Sequence, residues 1–426
     1  MLKENDLIVG NNQLVPTAKG PRRYINFDNA ASTPPFQQVI QTLNEAALWY
    51  SSVHRGSGYK SKYSTHLYED ARRVVANFVA ADLEQDIVIF TRNTTDSLNK
   101  LRHYLRFLPG EIVVYTHLEH HSNELPWAQF PSRCLNLDEY RLDLAKAEEF
   151  LRKNAGRIKL LAITGASNVT GYLPPIYTLA ELAHAAGAKI LVDGAQLVPH
   201  RPITMYPASD PRHIDFLAFS GHKIYAPFGS GVLIGPRSLF THPPPSEVGG
   251  GTVKGIGPAG IIWSEPPEVE EAGSPNVLGA VALAEAIRVI QSIGWPKLIA
   301  HENQLIQQTI EALRTIPEVI LYNPDATERV GVISFNLMGF HHQAVADYLS
   351  EAWGIGVRSG CFCARGYVQK LLKLNSDTIL QAQNAINSHN SHAIPGMVRV
   401  SFGCYNELAE VDILIQALKE LIKKPL

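Results

Sequence analysis

Between about residues 70 and 235, short apolar runs alternate with longer stretches of helical periodicity. The runs lie at 87–90, 112–115, 160–163, 190–192, 216–219 and 231–234. They are short and continuously apolar, which predicts strands buried on both faces. Between them lie segments such as 178–186, apolar at helical spacing and followed by Gly187 as a stop. The alternation predicts an α/β fold, a mostly parallel sheet with helices on both sides.

The pattern breaks over 241–275, where Pro243-Pro-Pro245, Gly249-Gly-Gly251 and Pro266-Pro267 predict a long functional loop. A helix over 277–293 then leads to a second region. That region has strands at 330–335 and 397–402 and a last helix, capped by Asn406, with Leu408, Val411, Ile415 and Leu418 on one face. The expected division is a large domain over 24–290 and a smaller α/β domain from 1–23 with 291–426.

A chain of 426 residues, 45% hydrophobic and 18% charged, fits a globular enzyme of two or three domains. A net charge of −2 gives no footprint for nucleic acid. No run approaches the ~20 apolar residues that span a bilayer, so no membrane partner is expected. The first residues lack a basic start and apolar stretch, and four cysteines are too few for a disulfide framework. A cytoplasmic location is the resulting expectation.

The chemistry concentrates at the ends of the apolar runs. Asp193-Gly-Ala-Gln196 follows one and Ser220-Gly-His-Lys223 follows the next. Ligands of open α/β sheets gather beyond the carboxyl ends of strands, so an acid and a lysine reach one crevice. Pyridoxal phosphate requires that pair, a lysine for the Schiff base and a carboxylate for the pyridinium nitrogen. A structural salt bridge at a sheet edge is the plain alternative. Ser220 and His222 add donors suited to a phosphate, as do the N–H groups and hydroxyls of Asn93-Thr94-Thr95 at a helix start, where simple capping competes. His120, in Glu119-His-His-Ser-Asn123, could stack on a cofactor ring or move protons near its working pH. A two-histidine metal site there lacks an obvious third ligand, so no metal is expected. Asn168 offers an amide for a phenolic oxygen, and His54 lies in a Gly/Ser-rich stretch. Arg358-Ser-Gly-Cys361-Phe-Cys363 carries two thiols that suit a nucleophile, a redox pair or a metal clip. Arg399 suits a substrate carboxylate.

Together these segments resemble the class V aminotransferase group of fold type I pyridoxal phosphate enzymes, most nearly its group II cysteine desulfurases and selenocysteine lyases. The matching stretches include Phe27-Asp-Asn-Ala-Ala-Ser32, Val53-His-Arg-Gly56, Arg92-Asn-Thr-Thr95, Glu119-His-His-Ser-Asn123, Val192-Asp-Gly-Ala-Gln196, Ser220-Gly-His-Lys223 and Glu271-Ala-Gly-Ser-Pro-Asn276. The resemblance implies a seven-stranded sheet and a homodimer. It implies pyridoxal 5'-phosphate on Lys223, with Asp193 at the ring nitrogen, His120 stacked on the ring, and Gln196 and Asn168 at the phenolic oxygen. Thr94, Thr95, Ser220 and His222 would hold the phosphate, with Ser274 contributed by the partner subunit. Arg399, His54 and Asn168 would bind the amino acid, and Lys223 would shuttle its α-proton.

Cys363 falls at the family's nucleophilic cysteine, which takes sulfur from L-cysteine as a persulfide, releases L-alanine and passes the sulfur to an acceptor protein. A C–S lyase, epimerase or aminotransferase on the same scaffold, or a non-catalytic scaffold, stays open. Two departures stand out. Cys361 replaces a usual histidine, giving Gly-Cys-Phe-Cys, similar to the motif of molybdenum cofactor sulfurases. Residues 365–396, with the Asn/Ser/His-rich run 384–392, are read as an inserted loop near the active-site mouth.

Overall fold

All six apolar runs are strands of one sheet. The protein was visualised as a computed structural model that describes residues 7–241, 244–325, 327–388 and 394–423. The strands in chain order are β1 (Asp86–Thr91), β2 (Ile112–Thr116), β3 (Ser132–Leu135), β4 (Ile158–Thr164), β5 (Lys189–Asp193), β6 (Phe216–Ser220) and β7 (Gly231–Pro236). Their spatial order is β1-β7-β6-β5-β4-β2-β3, and β7 alone runs antiparallel to its neighbours. β3 is the strand that the apolar pattern missed. It is an edge strand paired only with β2, so Ser132, Arg133 and Cys134 need not be apolar.

Helices cover both faces because alternate strand residues face opposite ways. Val88 of β1 enters one core, while Ile87 and Ile89 enter the other. The first core is closed by α1 (Gln37–Trp49), α2 (Tyr59–Phe78), α4 (Leu144–Lys153), α5 (Ile176–Ala185) and α6 (Val277–Ile293). The second is closed by α3 (Thr94–Tyr104) with the buried Trp127. α6 is buried along most of its length. The 241–275 stretch is not all loop: Val253–Gly257 and Gly260–Trp263 form a hairpin that leaves Ile256 and Ile262 exposed.

The remaining chain builds a smaller unit. Its elements are α7 (Trp295–Arg314), β8 (Val319–Leu321), β9 (Val332–Leu337), α8 (His342–Trp353), β10 (Arg358–Gly360), α9 (Arg365–Leu371), α10 (Ser376–Asn387), β11 (Met397–Ser401) and α11 (Leu408–Ile422). The strands form an antiparallel sheet ordered β8-β9-β11-β10.

Ile25 and Phe27, placed by sequence in the larger domain, belong to this smaller core with Phe335, Val398 and Leu414. Ile25–Asn26 pairs in parallel with Ile355–Gly356, and that pairing sets the assignment. Ile8, placed by sequence in the smaller domain, instead packs in the large core and bridges Phe36. The cap of α11 is Glu407, in a capping box with Glu410, because the Asn406 side chain turns inward to Gly403 N and Glu410. Leu408 is exposed and Leu414 takes its place on the buried face. The expected inserted loop is helical in α9 and α10; part of its 384–392 run lies outside the described residues.

Candidate active site

The carboxyl ends of the parallel strands open onto a cleft of about 840 Å³. Asp193 ends β5 opposite Ala218 of β6, and β6 runs on to Ser220 and a single tight turn, Gly221–Lys223. Acid and lysine therefore arrive from adjacent strands. Thr94, Thr95, His120, Asn168, Gln196 and His222 line the same cleft, as do Cys361, Cys363 and Arg399 from the smaller unit.

Electrostatics on the cleft floor follow from burial. Asp193 is buried and accepts a hydrogen bond from Ala195 N. Burial raises its pKa, opposed by that N–H and by the charge of Lys223. Burial lowers Lys223 to about 8, with Asp193 and Cys363 opposing the shift and Arg399 adding to it. An appreciable fraction of Lys223 is therefore a neutral amine near physiological pH. Burial, then the charge of Lys223, lowers His120 to about 3. His120 thus does not titrate near neutral pH, contrary to the expectation of a proton mover. Ser122 N donates to its Nδ1 at 3.1 Å, which places the ring proton on Nε2. The result is a neutral, oriented ring.

A cup of donors forms where β1 turns into α3. Asn93 caps the helix by accepting from Asp96 N at 3.0 Å. Thr94 N donates to Ser220 Oγ at 2.8 Å, the Thr94 and Ser220 hydroxyls lie 2.6 Å apart, and those of Thr95 and Ser122 lie 2.7 Å apart. Gly231, beginning β7, allows this closeness: a Cβ there would stand 2.5 Å from Asn93 Cα.

The opposite wall carries cations and thiols. Arg399 in β11 is buried, donating to Asp28 Oδ1 at 2.9 Å and to the Asn168 carbonyl at 3.1 Å. Arg358 reaches the same Asp28 at 3.4 Å. Phe362 and Cys363 both adopt φ of +54°, a left-handed conformation rarely taken by such side chains. The Asn168 amide holds the Phe362 carbonyl at 2.7 Å, and His121 N holds the Cys363 carbonyl at 2.7 Å. Cys363 is exposed, Cys361 is half-buried and all four cysteines are free thiols.

One expected residue is not in this cleft. His54 binds Glu69 at 2.9 Å, held there by its place before α2. Ser274, expected to serve the partner subunit's cleft, lies in a separate cavity with Tyr68 and Glu271. Residues overlooked from sequence include Glu119, buried and raised to about 8 by burial, which accepts from Thr116 and Asn123. Asp28, His121 and Ser122 were also passed over, although all three stand inside the quoted motifs and only their partners were hidden. Among the described residues, no group of three His, Cys, Asp or Glu could hold a metal.

The residues fit pyridoxal phosphate. The buried Asp193 carboxylate accepts a backbone N–H but, among the described residues, has no cation within hydrogen-bonding distance, which suits a pyridinium nitrogen. Buried Gln196 Oε1 has no partner among the described residues, although its Nε2 donates to the Ala30 carbonyl at 2.6 Å. The cup at α3 supplies N–H and O–H groups in the arrangement that a phosphate takes at a helix start.

The family model described as Aminotransferase class-V matches residues 25–414. A cysteine desulfurase of Serratia proteamaculans (strain 568) is 35% identical over 411 residues, 93% of each chain. A probable cysteine desulfurase of Pyrococcus abyssi (strain GE5 / Orsay) is 37% identical over 94% of each. The apo structure of a cysteine desulfurase from Thermococcus onnurineus NA1 superposes with a TM-score of 0.82 at 34% identity, covering 94% of this chain and 95% of the other.

Proposed function

The chain belongs to the class V aminotransferase family, and from that premise we propose that it is a pyridoxal phosphate-dependent cysteine desulfurase. It converts L-cysteine to L-alanine and carries the removed sulfur as a persulfide on Cys363. The observation that carries this reading is the exposed Cys363 thiol on the wall of the cleft that holds Lys223 and Arg399.

Bound pyridoxal phosphate supplies an electron sink that labilises the bonds of the amino acid's α- and β-carbons. Asp193 would hold the ring nitrogen, His120 the ring face, Gln196 and Asn168 the phenolic side. Thr94, Thr95, Ser220 and His222 would hold the phosphate. Arg399 grips the substrate carboxylate, with Asp28 and the Asn168 carbonyl fixing its guanidinium plane. Lys223 Nζ anchors the cofactor and then moves the α-proton. Cys363, as thiolate, takes the sulfur: one S–S bond forms as the substrate C–S bond breaks, and alanine leaves. Ser274 is assigned to the partner subunit's phosphate site in a homodimer, and an acceptor protein collects the sulfur. A reducing cytoplasm suits four free thiols.

The test is alanine formation from L-cysteine by the holoenzyme, with mass spectrometry of Cys363. Cys363→Ala should abolish alanine formation while keeping the yellow cofactor. Undiminished alanine from that variant would sink the reading.

A further inference from the structure

Cys361 has no part in the chemistry above, yet it shares the cleft wall with Cys363. Residues Cys361 to Ala364 form a tight turn, closed by Ala364 N donating to the Cys361 carbonyl at 2.9 Å. Its two central residues, Phe362 and Cys363, both have φ of +54°, which makes it a type I′ turn, usually built from Gly, Asn or Asp. A bulky side chain in that conformation persists only when its surroundings hold it. Here they do. The Phe362 ring is buried, its face 4.9 Å from the Arg399 guanidinium carbon, and Asn168 and His121 pin the two central carbonyls. Phe362 acts as an anchor, so the thiols on either side of it stay in one short, strained turn at the cleft.

We propose that Cys361 is a resolving thiol that discharges the Cys363 persulfide and leaves a Cys361–Cys363 disulfide. This rests on the reading of Cys363 as sulfur carrier. The Cys361 thiolate attacks Sγ of Cys363. A new bond forms between the two Sγ atoms, the bond from Cys363 Sγ to the outer sulfur breaks, and hydrosulfide leaves with the electron pair and takes up a proton. The outer sulfur is reduced and the Cys361 sulfur is oxidised, while the Cys363 sulfur stays at the disulfide level, so no outside oxidant is needed. When no acceptor collects the sulfur, the enzyme stops after one turnover with its nucleophile blocked. An external dithiol restores it.

The experiment is an anaerobic pulse of substoichiometric L-cysteine, consumed by the reaction, on reduced holoenzyme without any other thiol, read by alanine, free sulfide and peptide mass. For the native sequence the expected result is equal alanine and sulfide, with the Cys361–Cys363 peptide lighter by two hydrogens. Cys361→Ala should instead keep the added sulfur on Cys363 and release no sulfide until a reductant is given. A native enzyme that retains the added sulfur on Cys363, with Cys361 still a free thiol and no sulfide released, overturns the proposal alone. Alanine from Cys363→Ala, or none from the native enzyme, overturns the desulfurase reading and this proposal together. The native measurement needs no variant, so a misfolded Cys361→Ala leaves the decision intact.

Discussion

Lys223 should react as a much stronger nucleophile than an ordinary lysine. Burial lowers it from 10.5 to about 8. At pH 7 a lysine at 10.5 is neutral about 0.03% of the time and one at about 8 about 10%, a gain of roughly 300-fold. Capture of pyridoxal phosphate by apoprotein needs the neutral amine. Its rate, divided by that of a free lysine derivative titrated in parallel to cancel the aldehyde's own ionisation, should peak at low pH. Above pH about 8 the uncorrected protein rate should flatten, whereas the free amine keeps climbing about tenfold per pH unit towards 10. Trapping by borohydride and counting by mass spectrometry reads the rate. Asp193 opposes the shift, so Asp193→Asn should move the plateau to lower pH. A native rate that rises in step with the free amine up to pH 10 would refute the reasoning, and so would a plateau moved upward in Asp193→Asn.

Three further predictions follow from the geometry. Gly231→Ala forces a Cβ to 2.5 Å from Asn93 Cα and should push the start of α3 outward. Overpacking of this kind costs about 1–3 kcal/mol, which would weaken cofactor affinity by roughly 5- to 150-fold if it falls on the cup, and fluorescence titration with unchanged affinity would contradict it. Arg399→Lys loses the planar fork that serves Asp28 and the Asn168 carbonyl together, so KM for L-cysteine should rise about tenfold with a smaller change in kcat. An unaltered KM would remove Arg399 from carboxylate binding. Glu271→Ala strips the buried Arg72 of two bonds, at 2.8 and 2.9 Å, and also leaves Tyr68 and Phe90 N without their acceptor. Breaking such a pair costs about 3–5 kcal/mol, so the urea midpoint should fall; a midpoint within error of native would show that water replaces the carboxylate.

The interior of the large unit was legible because a strand buried on both faces has no choice but to be apolar. β1, β2, β4, β5, β6 and β7 declared themselves in that way, and α6 did so to the residue. β3 was not legible, since an edge strand answers to one neighbour only. Asp193 and Lys223 could be placed together because both follow strand ends, where the fold dictates the crevice. His120 was harder: its position was readable but its charge state was not, because burial and the nearby Lys223 charge come from elsewhere in the chain. The same holds for Arg399, whose partner Asp28 is separated from it by nearly the whole sequence. His54 marks the other limit, since a motif gives a residue's identity but not which cleft it serves.

The pairing of Ile25–Asn26 with Ile355–Gly356 makes the two ends of the chain one body, and this orders events during synthesis. The acid, the lysine and the donor cup are complete once β7 and α6 have left the ribosome. Cys363 and Arg399 follow later, roughly 7–35 s after Lys223 at about 5–20 residues per second. Until then the core around Ile25 and Phe27 lacks Val398, Val400, Val411 and Leu414. A nascent chain therefore completes its cofactor-holding residues first and its sulfur-handling thiol and carboxylate-binding arginine last, so the electron sink has its seat before the group that removes sulfur is made.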